Sequence, residues 1–132
     1  MSRNDDSDEI ENEETESLKV VLIGESGVGK TSIISRYISN VFNPFQVASI
    51  GASFISKTVE INNRTIKYEL WDTAGQEQYR SVAKIFYQNA SVVILVYDIT
   101  KQSSFDAIKN YWIKEIKKNI QDDASKNTFN FV

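Results

Sequence analysis

The chain has 132 residues, 41% of them hydrophobic and 25% charged, which is enough for one globular domain with a hydrophobic core. It contains neither cysteine nor histidine, and this excludes disulfides, thiolate metal sites, imidazole catalysis and histidine-bound zinc. It also lacks an apolar run of the ~18 residues that a membrane-spanning helix needs, an apolar signal core and the second-position glycine of myristoylated proteins, so we expect a cytoplasmic protein.

The formal net charge of −3 is unevenly distributed along the chain. Residues 1–16 carry eight carboxylates and a single basic residue, Arg3, whereas the remainder carries ten acidic and fourteen basic residues. We expect residues 1–16 to form a disordered acidic leader, because they are self-repelling and poor in apolar side chains. An acidic tail with its own function is the alternative. The mild positive balance of residues 17–132 suits an anionic ligand and is too small to indicate nucleic acid binding.

Apolar spacing and turn residues predict alternating strands and helices. In chain order they are strand Leu18–Gly24, helix Lys30–Asn40, strands Ser53–Ile61 and Thr65–Trp71, helix Val82–Asn89, strand Val92–Tyr97, a helix from a cap at Ser103 or Ser104 to Ile120, and the start of a strand at Thr128–Val132. The second and third strands should form an antiparallel hairpin across a turn of two asparagines. This order predicts an α/β fold with a mostly parallel sheet, helices on both faces and one antiparallel strand.

The same patterns predict which strand side chains are exposed. The run Val92–Tyr97 is continuously apolar, which is typical of a strand buried on both faces of a parallel sheet. Alternation along the hairpin instead puts Phe54 and Trp71 on the more polar side of their strands. An aromatic pair in that position is either a partner-binding surface or is covered by another part of the chain.

The segment Gly24-Glu25-Ser26-Gly27-Val28-Gly29-Lys30-Thr31 matches the phosphate-binding pattern G-x-x-x-x-G-K-[ST]. It lies between a predicted buried strand and a predicted helix, as the pattern requires. The glycines allow backbone N–H groups to surround a phosphate, and the helix N-terminus adds its positive dipole. Lys30 can reach the outer phosphates, and the Thr31 hydroxyl can bind Mg²⁺. The alternative is an ordinary glycine-rich turn before a helix.

A second group of polar residues follows the hairpin, in the segment Asp72–Gln76. An acidic residue at the C-terminal end of a strand lies where ligands bind in open α/β sheets, so Asp72 can hold Mg²⁺ through water. Gly75 allows its N–H group to approach a γ-phosphate, and Gln76 can orient an attacking water. A helix cap or turn cap is the alternative role for Asp72.

With these motifs the chain resembles the Rab family of small GTPases, within the Ras superfamily. The resemblance is carried by Gly24–Thr31, Ser49–Phe54, Trp71–Glu77, Phe86-Tyr87 and Tyr97–Thr100. The first two of these segments favour the endosomal branch of the family. The resemblance extends from Leu18 to about Val132, and it implies a fold of the P-loop NTPase type in which residues 17–132 form part of a small GTPase domain.

The resemblance also implies roles for the residues at matching positions. Thr31 and Ser49 would bind Mg²⁺ directly and Asp72 through water, and Gln76 would position the hydrolytic water. Phe54, Trp71 and Phe86 match the aromatic residues that contact effectors in this family. The positions that match the family's GTP- and GDP-binding residues are Glu25, Ser26, Gly27, Val28, Gly29, Lys30, Thr31, Ser32, Phe42, Ser49 and Gly75.

In function, the resemblance implies a GTP-hydrolysing switch in vesicle trafficking, with residues 41–53 and 73–82 as its two switch segments. Its expected partners are an exchange factor, a GTPase-activating protein and effectors. Ser49 replaces the family's usual threonine; it keeps the hydroxyl but lacks a methyl group that helps to pack the closed loop. We therefore expect a looser GTP-bound state.

The 132 residues contain neither the family's guanine-reading Asn-Lys-x-Asp and Ser-Ala-Lys motifs nor its C-terminal prenylated cysteines. We expect a sequence that is incomplete at its C-terminus, in which Val92–Tyr97 becomes an edge strand or is poorly covered. Contact with an endosomal membrane would then require a prenylated full-length form. The alternatives are a truncated relative that binds nucleotide poorly, a binding module that keeps the effector surface without switching, and a P-loop ATPase or small-molecule kinase, which the spacing of Asp72, Gly75 and Gln76 disfavours.

Overall fold

The computed structural model describes residues 15–40, 53–73 and 79–121. Most of the predicted acidic leader and the predicted strand at Thr128–Val132 lie outside these residues. A π-helical turn, Ile108–Trp112, joins the last two helices of the described part. The elements are β1 (Glu16–Ile23), α1 (Lys30–Ser39), β2 (Ser53–Ile61), β3 (Arg64–Asp72), α2 (Arg80–Tyr87), β4 (Val92–Leu95), α3 (Gln102–Ala107) and α4 (Ile113–Gln121).

The strands form one four-stranded sheet in the order β2-β3-β1-β4. β1 pairs in parallel with both of its neighbours, and β2 runs antiparallel to β3. The hairpin between β2 and β3 turns at Asn62 and Asn63, whose φ angles of 51° and 60° are those of a two-residue turn with left-handed residues. The predicted mostly parallel α/β sheet with one antiparallel strand is confirmed.

Alternating side chains of β1 divide the core into two clusters, one on each face of the sheet. Val20 and Leu22 pack with Leu70 of β3 and Ile34 of α1. Val21 and Ile23 face the opposite side, where the cluster is completed by buried residues of α2, of the π turn and of α4. Helices therefore cover both faces, as predicted. None of the helices in the described part of the chain is long and apolar enough to cross a membrane.

The prediction that Val92–Tyr97 is buried on both faces was wrong. The strand is shorter, Val92–Leu95, and among the described residues it pairs with β1 and forms an edge of the sheet. Val92 and Ile94 are 43% and 41% exposed, on the face that carries α1. An apolar run shows that a strand is hydrophobic, but it does not show how much of each face is covered.

The predicted serine cap of the long helix was also wrong. α3 begins after Lys101, and no side chain caps it. Ser104 lies inside the helix and is buried; its Oγ accepts from the Asp98 N–H (2.9 Å) and donates to the Lys101 carbonyl (2.7 Å). The Ser104 hydroxyl therefore stabilises the loop that precedes the helix. In this loop, hydrogen bonds from Thr100 lower the pKa of Asp98.

The π turn contributes two residues to the buried side of the helical segment. Ile108, Trp112 and Ile116 are all buried in one cluster and are separated by four residues each. Four residues exceed one α-helical turn by about 40°, so three side chains at this spacing span about 80°, which is within the apolar stripe of a core-facing helix. The wider turn is closed by a hydrogen bond from the Ile113 N–H to the Ile108 carbonyl.

We predict that Gly24→Ala destabilises the fold. A Cβ atom at this position would overlap the carbonyl oxygen of Val96. The backbone of Val96 cannot easily move away, because its N–H donates a hydrogen bond to the Ile23 carbonyl (2.8 Å). Overpacking of this kind should lower the free energy of unfolding by about 1–3 kcal/mol. Urea denaturation without added nucleotide measures it, with exposed Ser26→Ala as a control that should stay within about 0.5 kcal/mol of wild type. Unchanged stability of Gly24→Ala would contradict the packing argument.

A second prediction concerns alkaline pH. Tyr87 is buried, and its hydroxyl oxygen accepts from Asn119 Nδ2 (2.9 Å). Burial, followed by the charge of Glu115, raises the pKa of Tyr87 to about 12. Above pH ~10 the unfolded chain loses this proton while the folded chain keeps it, so the stability that Tyr87 contributes should fall as the pH rises towards 12.

Urea midpoints at pH 9 and pH 11.5 measure this effect. Wild type should lose more stability between the two values than Tyr87→Phe, which has no phenolic proton to lose. Tyr79→Phe, at an exposed tyrosine, is the matched control and should behave as wild type. Equal losses in wild type and Tyr87→Phe would show that the prediction is wrong.

Candidate functional site

The glycine-rich segment forms the connection between β1 and α1, which is the context that the sequence pattern requires. Gly27 and Gly29 have φ angles of 79° and 108°, in the left-handed region that favours glycine. Gly29 is the N-cap of α1, its carbonyl accepts the first helical hydrogen bond from Ile33 (2.9 Å), and no side chain caps the helix. A helix that begins in this way presents its N-terminal dipole to the loop, where an anion would be stabilised.

Lys30 places a positive charge inside this loop. The residue is 4% exposed, and its Nζ donates to the carbonyl oxygens of Gly24 and Glu25, the second at 3.0 Å. A buried ammonium group needs such acceptors, since its desolvation is otherwise costly. The two carbonyls therefore fix the ammonium group across the loop.

A direct contact joins the loop to the end of β3. The Thr31 Oγ1 donates a hydrogen bond to Asp72 Oδ2, and Asp72 is buried. The parallel register that pairs Leu22 with Asp72 is the reason for this proximity, because it brings the carboxyl ends of β1 and β3 to the same edge of the sheet. The two predicted residues are thus brought together across 41 positions of sequence.

The chemistry of this pair fits Mg²⁺. A hydroxyl and a carboxylate are the hard oxygen donors that this ion prefers, and Mg²⁺ commonly takes only one or two carboxylates from the protein beside phosphate and water oxygens. Among the described residues, no group of three or more acidic, histidine or cysteine side chains could hold a metal. A bound Mg²⁺ would therefore depend on oxygen atoms of the nucleotide and of water as well as on Thr31 and Asp72.

The other predicted nucleotide-binding residues fall into two groups. Within the described residues, Glu25 and Ser26 are exposed, Val28 packs against the cluster under α1, and Ser32 is half-buried in the first turn of that helix. Phe42, Ser49, Gly75 and Gln76 lie outside the described residues. Sequence reasoning missed Thr73, which is fully buried and donates to the Leu22 carbonyl (3.2 Å), so that it fixes the chain where it leaves β3.

Of the three aromatic residues predicted to form a surface, two lie together and the third is buried in the core. Phe54 and Trp71 are paired across β2 and β3, with ring centres 5.0 Å apart, and Phe54 is 48% exposed. Phe86 is 7% exposed and belongs to the cluster under α2, so its ring does not extend the exposed surface. Lys19, which sequence reasoning missed, lies 4.9 Å from the centre of a Trp71 ring and donates to the Gln88 carbonyl (3.0 Å).

Lys19 brings a positive charge to this aromatic surface. Burial lowers its pKa, and the charge of Glu69 acts in the opposite direction. In β1, Lys19 pairs in register with Glu69 of β3. The indole N–H of Trp71 has no hydrogen-bond partner among the described residues. The surface therefore combines two aromatic rings with a cation that packs on one of them.

Comparison with known proteins matches this chain to a defined family. The model of the Ras family matches residues 19–129. The Ras-like GTP-binding protein RYL2 of Yarrowia lipolytica is 47% identical over 110 residues, which are 83% of this chain and 52% of RYL2. Rab-22A of Homo sapiens is 46% identical over 101 residues, 76% of this chain and 52% of the relative.

A plant relative gives the same result. Rab5 of Nicotiana tabacum is 47% identical over 100 residues, 76% of this chain and 50% of the relative. The chain thus spans about half the length of the curated relatives it matches. Because the family match covers most of the chain, and because these relatives are Rab-type and Ras-like proteins, the chain belongs to the Ras family, in agreement with the predicted resemblance to Rab GTPases.

Proposed function

We propose that this chain binds GTP and GDP together with Mg²⁺, hydrolyses GTP and acts as a molecular switch in vesicle trafficking. The contact between Thr31 and Asp72 carries the proposal, because it joins the glycine loop to the residue best placed to hold a metal beside a phosphate. The buried Lys30 supports it with a fixed positive charge in the loop. The similarity to a protein named as GTP-binding, RYL2, supports guanine nucleotide as the ligand.

Each residue has a defined part in this proposal. The loop N–H groups and Lys30 would bind the phosphates, and Thr31, Ser49 and, through water, Asp72 would hold the metal. Mg²⁺, when bound, neutralises charge on the phosphate oxygens. Gln76 would orient the water, Gly75 would allow its N–H group to approach the γ-phosphate, and Phe42 would pack beside the guanine. The relatives named Rab5 and Rab-22A, with the segment Ser49–Phe54, favour endosomal membranes and the partners expected of a Rab protein.

A second function is favoured by a different observation. The exposed Phe54 and the Trp71 ring form a surface that includes none of the proposed nucleotide ligands. A binding module that contacts partners through this surface without switching would need no nucleotide at all. Binding of nucleotide to the chain therefore separates the two functions.

The first test is nucleotide binding by the purified 132-residue chain with Mg²⁺. A fluorescent GDP should bind, unlabelled GDP should displace it, and ATP should not. Lys30→Ala should weaken binding about 10- to 100-fold, since it removes charge-assisted contacts to phosphate. Lys114→Ala, at an exposed lysine of α4, is the matched control and should bind as wild type. Removal of Mg²⁺ with EDTA should speed release.

Two results would contradict the proposal. Displacement by ATP as effective as by GDP would exclude a guanine-specific switch. A complete absence of binding by the wild-type chain would contradict nucleotide binding by these 132 residues, and partner binding through Phe54 and Trp71 in the same preparation would then favour the non-switching module.

A further prediction concerns hydrolysis. Gln76→Leu should slow the release of phosphate from preloaded GTP by about 10- to 100-fold, because the attacking water loses its positioning group. GTP affinity should change little. Single-turnover phosphate release measures the rate, with Gln88→Leu, a glutamine at the end of α2, as the control that should keep the wild-type rate. Equal rates in Gln76→Leu and wild type would contradict the assigned role.

A further inference from the structure

Helix α1 is attached to the β2–β3 hairpin at both of its ends. At the N-terminal end, Thr31 donates to Asp72 of β3. At the C-terminal end, the Nζ of Lys57 in β2 donates to the Tyr37 carbonyl (2.9 Å) and lies 4.1 Å from the centre of the Tyr37 ring. One lysine side chain therefore contacts both the backbone and the side chain of the last turn of the helix.

The Lys57 contact is suited to the end of a helix. Tyr37 is within the last four residues of α1. The carbonyls of these residues have no N–H partner within the helix and can accept a hydrogen bond from another group. A cation at that end also interacts favourably with the helix dipole. A local cap already closes the helix: the Asn40 N–H donates to the Arg36 carbonyl (2.9 Å). The lysine is therefore not needed to end the helix, and what it adds is attachment to the sheet.

This attachment bears on the candidate site because α1 carries Lys30 and Thr31 in its first turn. The helix has ten residues and is therefore about 15 Å long, with Lys30 and Thr31 at one end and Tyr37 near the other. It packs on the sheet through Ile34 near its middle and, in part, through Ile38 in its last turn, whereas Tyr37 is 44% exposed. Among the described residues, Lys57 adds to the partial packing of Ile38 at this end, so loss of the lysine contact would loosen the last turn and allow the helix to tilt about Ile34. The tilt would displace the first turn relative to Asp72.

We propose that Lys57 is a positioning residue for nucleotide binding: by holding the last turn of α1 on β2, it keeps the glycine loop aligned with Asp72 and slows the release of bound nucleotide. This inference rests on the proposed function. It assigns a role to a residue outside the phosphate-binding motif. Lys57 would act on the glycine loop through helix α1, without touching the nucleotide.

The test is the rate at which a fluorescent GDP leaves the Mg²⁺-loaded chain in excess unlabelled GDP. Lys57→Met, which keeps the length of the side chain and removes its charge, should speed release about three- to tenfold, the size expected for one charged contact on an aromatic ring. Lys57→Arg should restore a rate close to wild type, because a guanidinium group also donates to carbonyls and stacks on rings. Tyr37→Leu should speed release in wild type and have no further effect in Lys57→Met.

Two controls separate positioning from loss of stability. Lys67→Met changes a lysine in the same hairpin, paired in register with Thr58, and should release GDP at the wild-type rate. Tyr87→Phe removes the hydrogen bond from Asn119, in the cluster on the other face of the sheet, and should also leave the rate unchanged, even where urea denaturation shows lower stability.

The outcomes are distinct. If wild type binds no GDP, the proposed function itself fails. If wild type binds GDP but Lys57→Met releases it at the wild-type rate, the positioning role is overturned while the proposed function stands. The positioning role is also overturned if Tyr87→Phe accelerates release as much as Lys57→Met, because a general loss of stability would then explain both.

Discussion

The parallel pairing of β1 with β3 is the constraint on which the rest of the structure depends. Its register sets Leu22 beside Asp72 and so fixes where the two strands end relative to each other. The glycine loop starts one residue after β1 ends, and the acidic residue is the last of β3. A shift of one residue in this register would turn Asp72 to the other face of the sheet, away from Thr31. The candidate site is therefore a consequence of strand pairing before it is a consequence of loop sequence.

Much of this arrangement could be predicted from the sequence, because it depends on local patterns. The glycine motif, the alternation along β3 and the two-asparagine turn indicated the loop, the hairpin and the position of Asp72. The burial of β4 could not be predicted, since an apolar run reports the composition of a strand and not what covers it. The role of Ser104 was missed for a related reason: its partner, Asp98, lies six residues earlier in a loop of no regular pattern.

Contacts between distant elements were the least predictable part. Lys57 and Tyr37 are separated by 20 residues, and neither belongs to a motif. Their contact depends on the crossing of α1 over the hairpin, which no periodicity specifies. The π turn is an intermediate case. The four-residue spacing of Ile108, Trp112 and Ile116 was visible in the sequence and predicts their common burial, but it is compatible with a regular α-helix and does not predict the π turn.

The end of β3 also connects the candidate site with the aromatic surface. Trp71 and Asp72 are consecutive residues of a strand, so their side chains point to opposite faces of the sheet. Trp71 packs towards the cluster that contains Phe86 and contacts Phe54 of β2, whereas Asp72 contacts Thr31 at the start of α1. The last two residues of β3 therefore place the candidate site on one face of the sheet and the aromatic surface on the other, because side chains alternate along a strand.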